Sequence, residues 1–184
     1  MKVIETGLPG LLIIEPRVFE DDRGYFFESF QNQRYLEAGI VKPFIQDNES
    51  KSVAGVVRGL HYQLGEFAQA KLVRVVQGRV YDVAVDLRKG SPTFKKWFGL
   101  ELNENNKKQL FIPRGFAHGF SVLSETAIFT YKCDNSYNKG AERSINPFDS
   151  SLGIDWKLGD MERIVSEKDA AAPLFGDAEM NFNF

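Results

Sequence analysis

The sequence predicts an all-β fold of the sandwich, jelly-roll or barrel kind with a few short helices, and three observations carry that prediction. β-branched and aromatic residues recur at a two-residue period in short runs. Gly, Pro, Asn and Ser punctuate those runs, and helices are few and short beside the many strands. The 184 residues, with 16 Phe and 6 Tyr, can build a substantial core. No low-complexity linker, charge block or composition shift marks a boundary, so residues 1–184 are expected to form one domain.

Taken in chain order, Leu11 to Ile14 is the longest apolar run of the opening segment, too short for a signal-peptide core or a membrane span. Asn32 to Ala38 is the best helix: Tyr35 and Leu36 can pack, Gln33, Arg34 and Glu37 stay wet, and Gly39 stops it. Val73, Val75, Val80, Val83 and Val85 surround Gln77-Gly78 and read as two strands of a hairpin closed by a tight turn. Phe98 to Leu102 is a further strand, ended by the polar stretch Asn103 to Lys108, and Leu110 to Ile112 resumes the pattern until Pro113. Phe120 to Lys132 reads as a second hairpin turning at Ser124-Glu125-Thr126, which puts Ala127, Phe129 and Tyr131 on one face.

Twenty-three Lys plus Arg against 25 Asp plus Glu leave a net charge of -2, which gives no support to a nucleic-acid coat or a membrane-surface role. Cys133 is the only cysteine, so no intrachain disulfide can form, and a reducing, cytoplasmic setting is expected.

The two histidines each follow an Arg-Gly step, in Arg58-Gly59-Leu60-His61-Tyr62-Gln63 and in Arg114-Gly115-Phe116-Ala117-His118-Gly119. Imidazole used so sparingly, beside cations and glycines, suits proton transfer near neutrality. Gln46-Asp47-Asn48 together with Arg58 and His61 suits a polar ligand with an anionic part: Arg58 can fork onto a phosphate, Gly59 permits close backbone approach, and His61 can take a proton. On these residues alone, an ion-paired Arg and a structural His at a turn stand as an equal reading. Alternation aims Lys71 to the face of Val73 and Val75, where it could stabilise an enolate or merely lay its stem on the sheet. Tyr131 could donate a proton or simply pack. Asp169 acquires a role only through partnership with His61. No His-x-His pair exists and two imidazoles cannot supply three ligands; a two-His, one-carboxylate site is the one arrangement left open, and no metal is expected.

Several blocks in order resemble the dTDP-4-dehydrorhamnose 3,5-epimerase family: Asp22-Arg23-Gly24-Tyr25-Phe26-Phe27-Glu28, Gln46-Asp47-Asn48, Arg58 to Gln63, Ala70 to Val75, Tyr81 to Arg88, Pro113 to Phe120 and Ser166-Glu167-Lys168-Asp169. The likeness runs to about Phe175, and the segment after it matches nothing. The resemblance implies a cupin-type double-stranded β-helix (jelly roll) acting as a homodimer, without metal or organic cofactor, on dTDP-4-dehydro-6-deoxy-D-glucose. It further implies that His61 is the base beside the C4 ketone, that Asp169 orients it, that Lys71 stabilises the enolate, and that Tyr131 returns a proton to the opposite face. Arg23, Glu28, Gln46, Asp47, Asn48, Arg58, Lys71, His118, Glu142 and Lys168 would hold the substrate, with Tyr137 stacking on thymine and Arg23 and Glu28 leaning on the partner subunit's site. The rival readings are a single-centre epimerase or a ketoisomerase on the same nucleotide sugar, or a non-catalytic nucleotide-sugar-binding module.

Overall fold

The computed structural model describes residues 1–184 as strands β1 (Lys2–Glu5), β2 (Leu12–Glu15), β3 (Val18–Asp21), β4 (Gly24–Phe27), β5 (Gln46–Val53), β6 (Val56–Gln63), β7 (Lys71–Gln77), β8 (Arg79–Asp86), β9 (Trp97–Asn103), β10 (Gln109–Ile112), β11 (Phe116–Val122), β12 (Thr126–Cys133), β13 (Glu142–Ser144) and β14 (Ile164–Val165). Helix α1 (Asn32–Glu37) precedes β5, a 3₁₀ turn (Gly65–Phe67) follows β6, and helix α2 (Glu167–Ala170) follows β14. The strands form two six-stranded sheets, one ordered β1-β2-β10-β7-β12-β5 and the other β13-β6-β11-β8-β9 with β14 beside β6. The β3–β4 ribbon pairs with neither sheet. The expected all-β jelly roll is observed.

Both expected hairpins are corners instead. β7 pairs with β10 and β12, whereas β8 pairs with β11 and β9, so the chain changes sheet at Gly78. Gly78 has φ +78°, and a Cβ there would meet the Thr126 carbonyl oxygen. β11 and β12 likewise lie in different sheets, joined through Leu123 to Glu125. The reason is burial: Val73, Val75 and Val80 share one cluster with Phe116, Phe120, Val122, Ala127 and Phe129, so the strands face each other across the core rather than lying edge to edge.

Each sheet also buries its outer face. Tyr35 of α1 and Ile40 pack on Ile14, Leu72 and Phe111 of the first sheet, and Leu152, Trp156, Leu158 and Phe175 cover Val57, Leu60, Val83 and Val85 of the second. Alternation in β8 therefore serves two cores, with Val80, Asp82 and Ala84 inward and Val83 and Val85 outward. α1 matches its expected span within a residue: Gln31 caps it by accepting from the Arg34 N–H, and Gly39 follows at φ +85°. No helix is long and apolar enough to cross a membrane.

Candidate active site

The interior between the sheets is layered. Phe129 and Phe120 stack at 4.3 Å and form an apolar floor. Above them sit His61 on β6, Lys71 at the start of β7 and Tyr131 on β12, lining one pocket with Gln46, Asn48, Tyr137 and Glu142 at its mouth. The sheet period delivers this layer, because Tyr131 is two residues from Phe129 and Lys71 is two from Val73.

His61 gains its orientation from outside the sandwich. Ser166 caps α2 by accepting from the Asp169 N–H at 3.1 Å, which turns Asp169 inward until it is 3 % exposed. Asp169 Oδ1 lies 2.7 Å from His61 Nε2, and its Oδ2 receives the Gly59 N–H at 3.4 Å. Burial works to raise the Asp169 carboxyl, but the hydrogen bond and charge of His61, with the Gly59 and Ser166 groups, outweigh it and hold it below its ordinary value. An ionised carboxylate can only accept, so Nε2 carries a proton, and Nδ1 is the nitrogen left to give one up or take one. Asp169 thus has the partnership with His61 on which its role depends.

Burial pulls the Lys71 ammonium below the usual lysine range, against the fields of Cys133, Asp82 and Glu142, and its Nζ sits 5.8 Å from the Tyr131 ring centre. Burial pushes the Tyr131 phenol up, with Cys133 and Glu142 adding and Arg58 opposing, so it stays protonated at neutral pH. At the mouth, Lys168 Nζ meets Glu142 Oε2 at 2.6 Å and the Tyr137 hydroxyl donates to the same oxygen at 3.2 Å. Burial works to raise the Glu142 carboxyl, but the Lys168 bond and charge, with the Tyr137 bond and the field of His61, hold it below its ordinary value. Tyr137 is 54 % exposed, a ring presented to solvent and open to a stacking partner.

Other expected site residues stand apart from this pocket. Arg58, exposed, bonds Ser52 Oγ at 3.0 Å. Asp47 alternates away from Gln46 and pairs with Lys132 at 2.8 Å, beside a neighbouring depression that Arg74 and Gln109 line and that shares Asn48 and Tyr131 with the pocket. Arg23 pairs with Asp21 at 2.6 Å and Glu28 with Arg34 at 3.0 Å, both remote from the pocket of their own chain. His118, expected among the nucleotide's contacts, lies beneath the pocket: it is 7 % exposed, its Nε2 is 2.8 Å from Asp82 Oδ2, and its strand neighbour across the β11–β6 register is His61. Gly59 gives close approach to protein rather than ligand, since a Cβ there would sit 2.6 Å from Gly119 Cα.

Two contributors were missed in the sequence. Gln63 accepts from the Asn138 N–H at 2.7 Å and donates to the Ser136 carbonyl at 3.1 Å, which fixes the loop carrying Tyr137. Its signal was a polar side chain in a strand of buried neighbours. Asp82 was visible as an acid between Val80 and Ala84, on the face a core strand reserves for apolar groups.

An imidazole held by a carboxylate, a buried cation and a protonated phenol around one cavity of a jelly roll are the groups that a cupin-type proton-transfer enzyme uses. The family model for dTDP-4-dehydrorhamnose 3,5-epimerase matches residues 5–177. The Shigella flexneri protein of that name is 53% identical over 180 residues, covering 97% of this chain and 98% of its own. The Elizabethkingia anophelis crystal structure of a dTDP-4-dehydrorhamnose 3,5-epimerase superposes with TM-score 0.92 at 56% identity, covering 96% of this chain and 97% of that one. A Legionella pneumophila dTDP-6-deoxy-D-glucose-3,5-epimerase solved with dTDP-4-keto-L-rhamnose gives TM-score 0.92 at 52% identity, covering 96% and 93%. The chain belongs to the dTDP-4-dehydrorhamnose 3,5-epimerase family, a family of isomerases.

Proposed function

We propose that this chain inverts C3 and C5 of dTDP-4-dehydro-6-deoxy-D-glucose in dTDP-L-rhamnose biosynthesis, as one cytoplasmic epimerase domain spanning residues 1–184. The observation that carries the reading is the His61–Asp169 pair at 2.7 Å sharing a cavity with Lys71 and Tyr131. His61 Nδ1 takes the proton from the carbon beside the C4 ketone, the C–H electron pair moves into an enolate, and the negative oxygen is met by Lys71. The Tyr131 hydroxyl then donates to the opposite face, the ketone re-forms, and solvent exchange restores both groups. Glu142, Lys168, Gln46 and Asn48 at the mouth serve the nucleotide sugar, and Tyr137 stacks on thymine.

The chemistry needs neither metal nor organic cofactor in this reading, because an ammonium answers the enolate and each imidazole is engaged by its own carboxylate. A homodimer is part of the same reading. The unpaired β3–β4 ribbon exposes Phe19, Tyr25 and Phe26, and a second copy of the chain covers those rings while Arg23 and Glu28 reach its pocket.

Incubating the 4-ketosugar nucleotide with the protein in deuterated water, and following C3 and C5 by NMR, tests the reading. Deuterium is expected at both carbons with inversion at both. Exchange at C3 alone would make this a single-centre epimerase, a moved ketone an isomerase, and no exchange a binding module.

A further inference from the structure

Residues 178–184 lie beyond the family match and form a strap across the outer face of the second sheet. Apolar packing seats it: Ala178, Met180 and Phe182 rest on the cluster that holds Tyr62, and the Phe182 ring meets Tyr62 edge-on at 6.0 Å. At the far end the Lys89 backbone brackets it, donating to the Phe182 carbonyl at 2.9 Å and accepting from the Phe184 N–H at 3.0 Å. The Arg88 guanidinium lies 5.0 Å from the Phe184 ring centre.

Two polar side chains of the strap lead to the mouth of the pocket. Tyr62, the residue after His61, donates its hydroxyl to the Glu179 carbonyl at 2.7 Å, and burial pushes that phenol up to about 12, so it stays a donor at neutral pH. Glu179 is thereby set beside β13, where its Oε2 receives Arg143 Nε–H at 2.7 Å. Arg143 in turn donates from Nη1 to the carbonyls of Gly140 and Glu142, each at 2.8 Å, and so ties down the end of the loop that runs from Tyr137 to Glu142. Asn181 acts on the start of that loop. Its Oδ1 accepts from the Gly65 N–H at 3.2 Å, in the 3₁₀ turn whose Glu66 carbonyl accepts from Asn135 Nδ2 at 2.7 Å and whose Phe67 carbonyl accepts from Gln63 Nε2 at 2.8 Å.

We propose that the strap positions the nucleotide-binding mouth: Glu179 through Arg143, and Asn181 through the 65–67 turn, hold the loop that presents Tyr137 and Glu142. Neither residue lines the pocket, so both are positioning residues. The inference rests on the reading of Tyr137 and Glu142 as nucleotide contacts. An exposed ion pair adds little to the stability of a fold. Here it acts on affinity, because a loop already ordered in its binding conformation does not lose that freedom when the ligand arrives.

The test is dTDP affinity by calorimetry, with KM and kcat for deuterium exchange at C3 and C5. Glu179→Ala and Asn181→Ala should each raise Kd and KM by about two- to fivefold. Their kcat should stay near the wild-type value, because His61 keeps its own contact with Asp169. In an Arg143→Ala background, Glu179→Ala should weaken binding no further. A chain ending at Asp177 should lose the most affinity, and if it does not fold the point variants decide. A strap that merely braces the sheet would lower Tm and leave Kd alone. Wild-type Kd and KM in the Glu179→Ala/Asn181→Ala double variant therefore overturn the proposal whatever its Tm, as does a full extra loss from Glu179→Ala on top of Arg143→Ala. Tyr137→Ala separates the two readings: if it binds dTDP as tightly as the wild type, the mouth itself is misassigned, and if it binds weakly while the double variant binds normally, the strap's role alone fails.

Discussion

One bond orients the His61 ring, and in the proposed reaction makes it a directed base. The Asp169 carboxylate fixes the tautomer, leaving Nδ1 as the only nitrogen able to accept a proton. His61→Asn should therefore fold and bind dTDP, yet lose exchange at both C3 and C5 by about 10²–10⁴-fold, as removal of a positioned general base does. Exchange at the wild-type rate at either carbon would sink the single-base mechanism. Asp169→Asn should give a smaller loss in the same direction. Tyr131→Phe separates acid from base: deuterium should still wash in, because His61 can return a proton to the face it came from, while inversion falls sharply. The residue types behind these roles could be seen in the sequence. The Asp169 partnership could not, since 108 residues separate it from His61 and only the docking of α2 on β6 joins them.

At the scale of elements, β6 and β11 set where His61 stands. Their register shifts between His118 and Phe120, and Gly59 and Gly119 lie backbone to backbone at the shift. Gly59 has φ +133°, where a side chain is strained, and its added Cβ would press on Gly119. Gly59→Ala should cost more than about 2 kcal/mol, a fall of roughly 4–8 °C in Tm by calorimetry, with kcat reduced beyond what the lost stability explains. A variant with wild-type Tm would mean that the strands part without cost. The strand spans read from alternation hold at this scale, as Trp97–Asn103, Gln109–Ile112 and Lys71–Gln77 illustrate. The partners do not, because a two-residue period says which side of Val75 or Val80 is buried and nothing about which strand lies beside it.

Across the whole molecule, the β3–β4 ribbon is the least self-sufficient part: Phe26 is 70 % exposed, Tyr25 57 % and Phe19 50 %. Light scattering should give twice the mass of one chain, and Phe26→Glu should shift it toward the monomer. Activity should fall with it, since Arg23 and Glu28 would no longer reach a second pocket. A wild-type protein that scatters as a monomer at full activity would rule out the shared site.

The order of residues by itself determined the all-β class, the strand spans and the short helix at Asn32, and it offered the imidazole, ammonium, phenol and carboxylates from which the proposed roles are drawn. These follow from local periodicity and from what each side chain can do chemically. Tertiary structure alone decided that Gly78 and Ser124 are corners between sheets, that Asp169 serves His61, that His118 sits beneath the pocket on Asp82, and that Asp47 turns away from it. Each of those outcomes depends on which surfaces are buried against which, and burial is set by contacts between residues far apart in the chain.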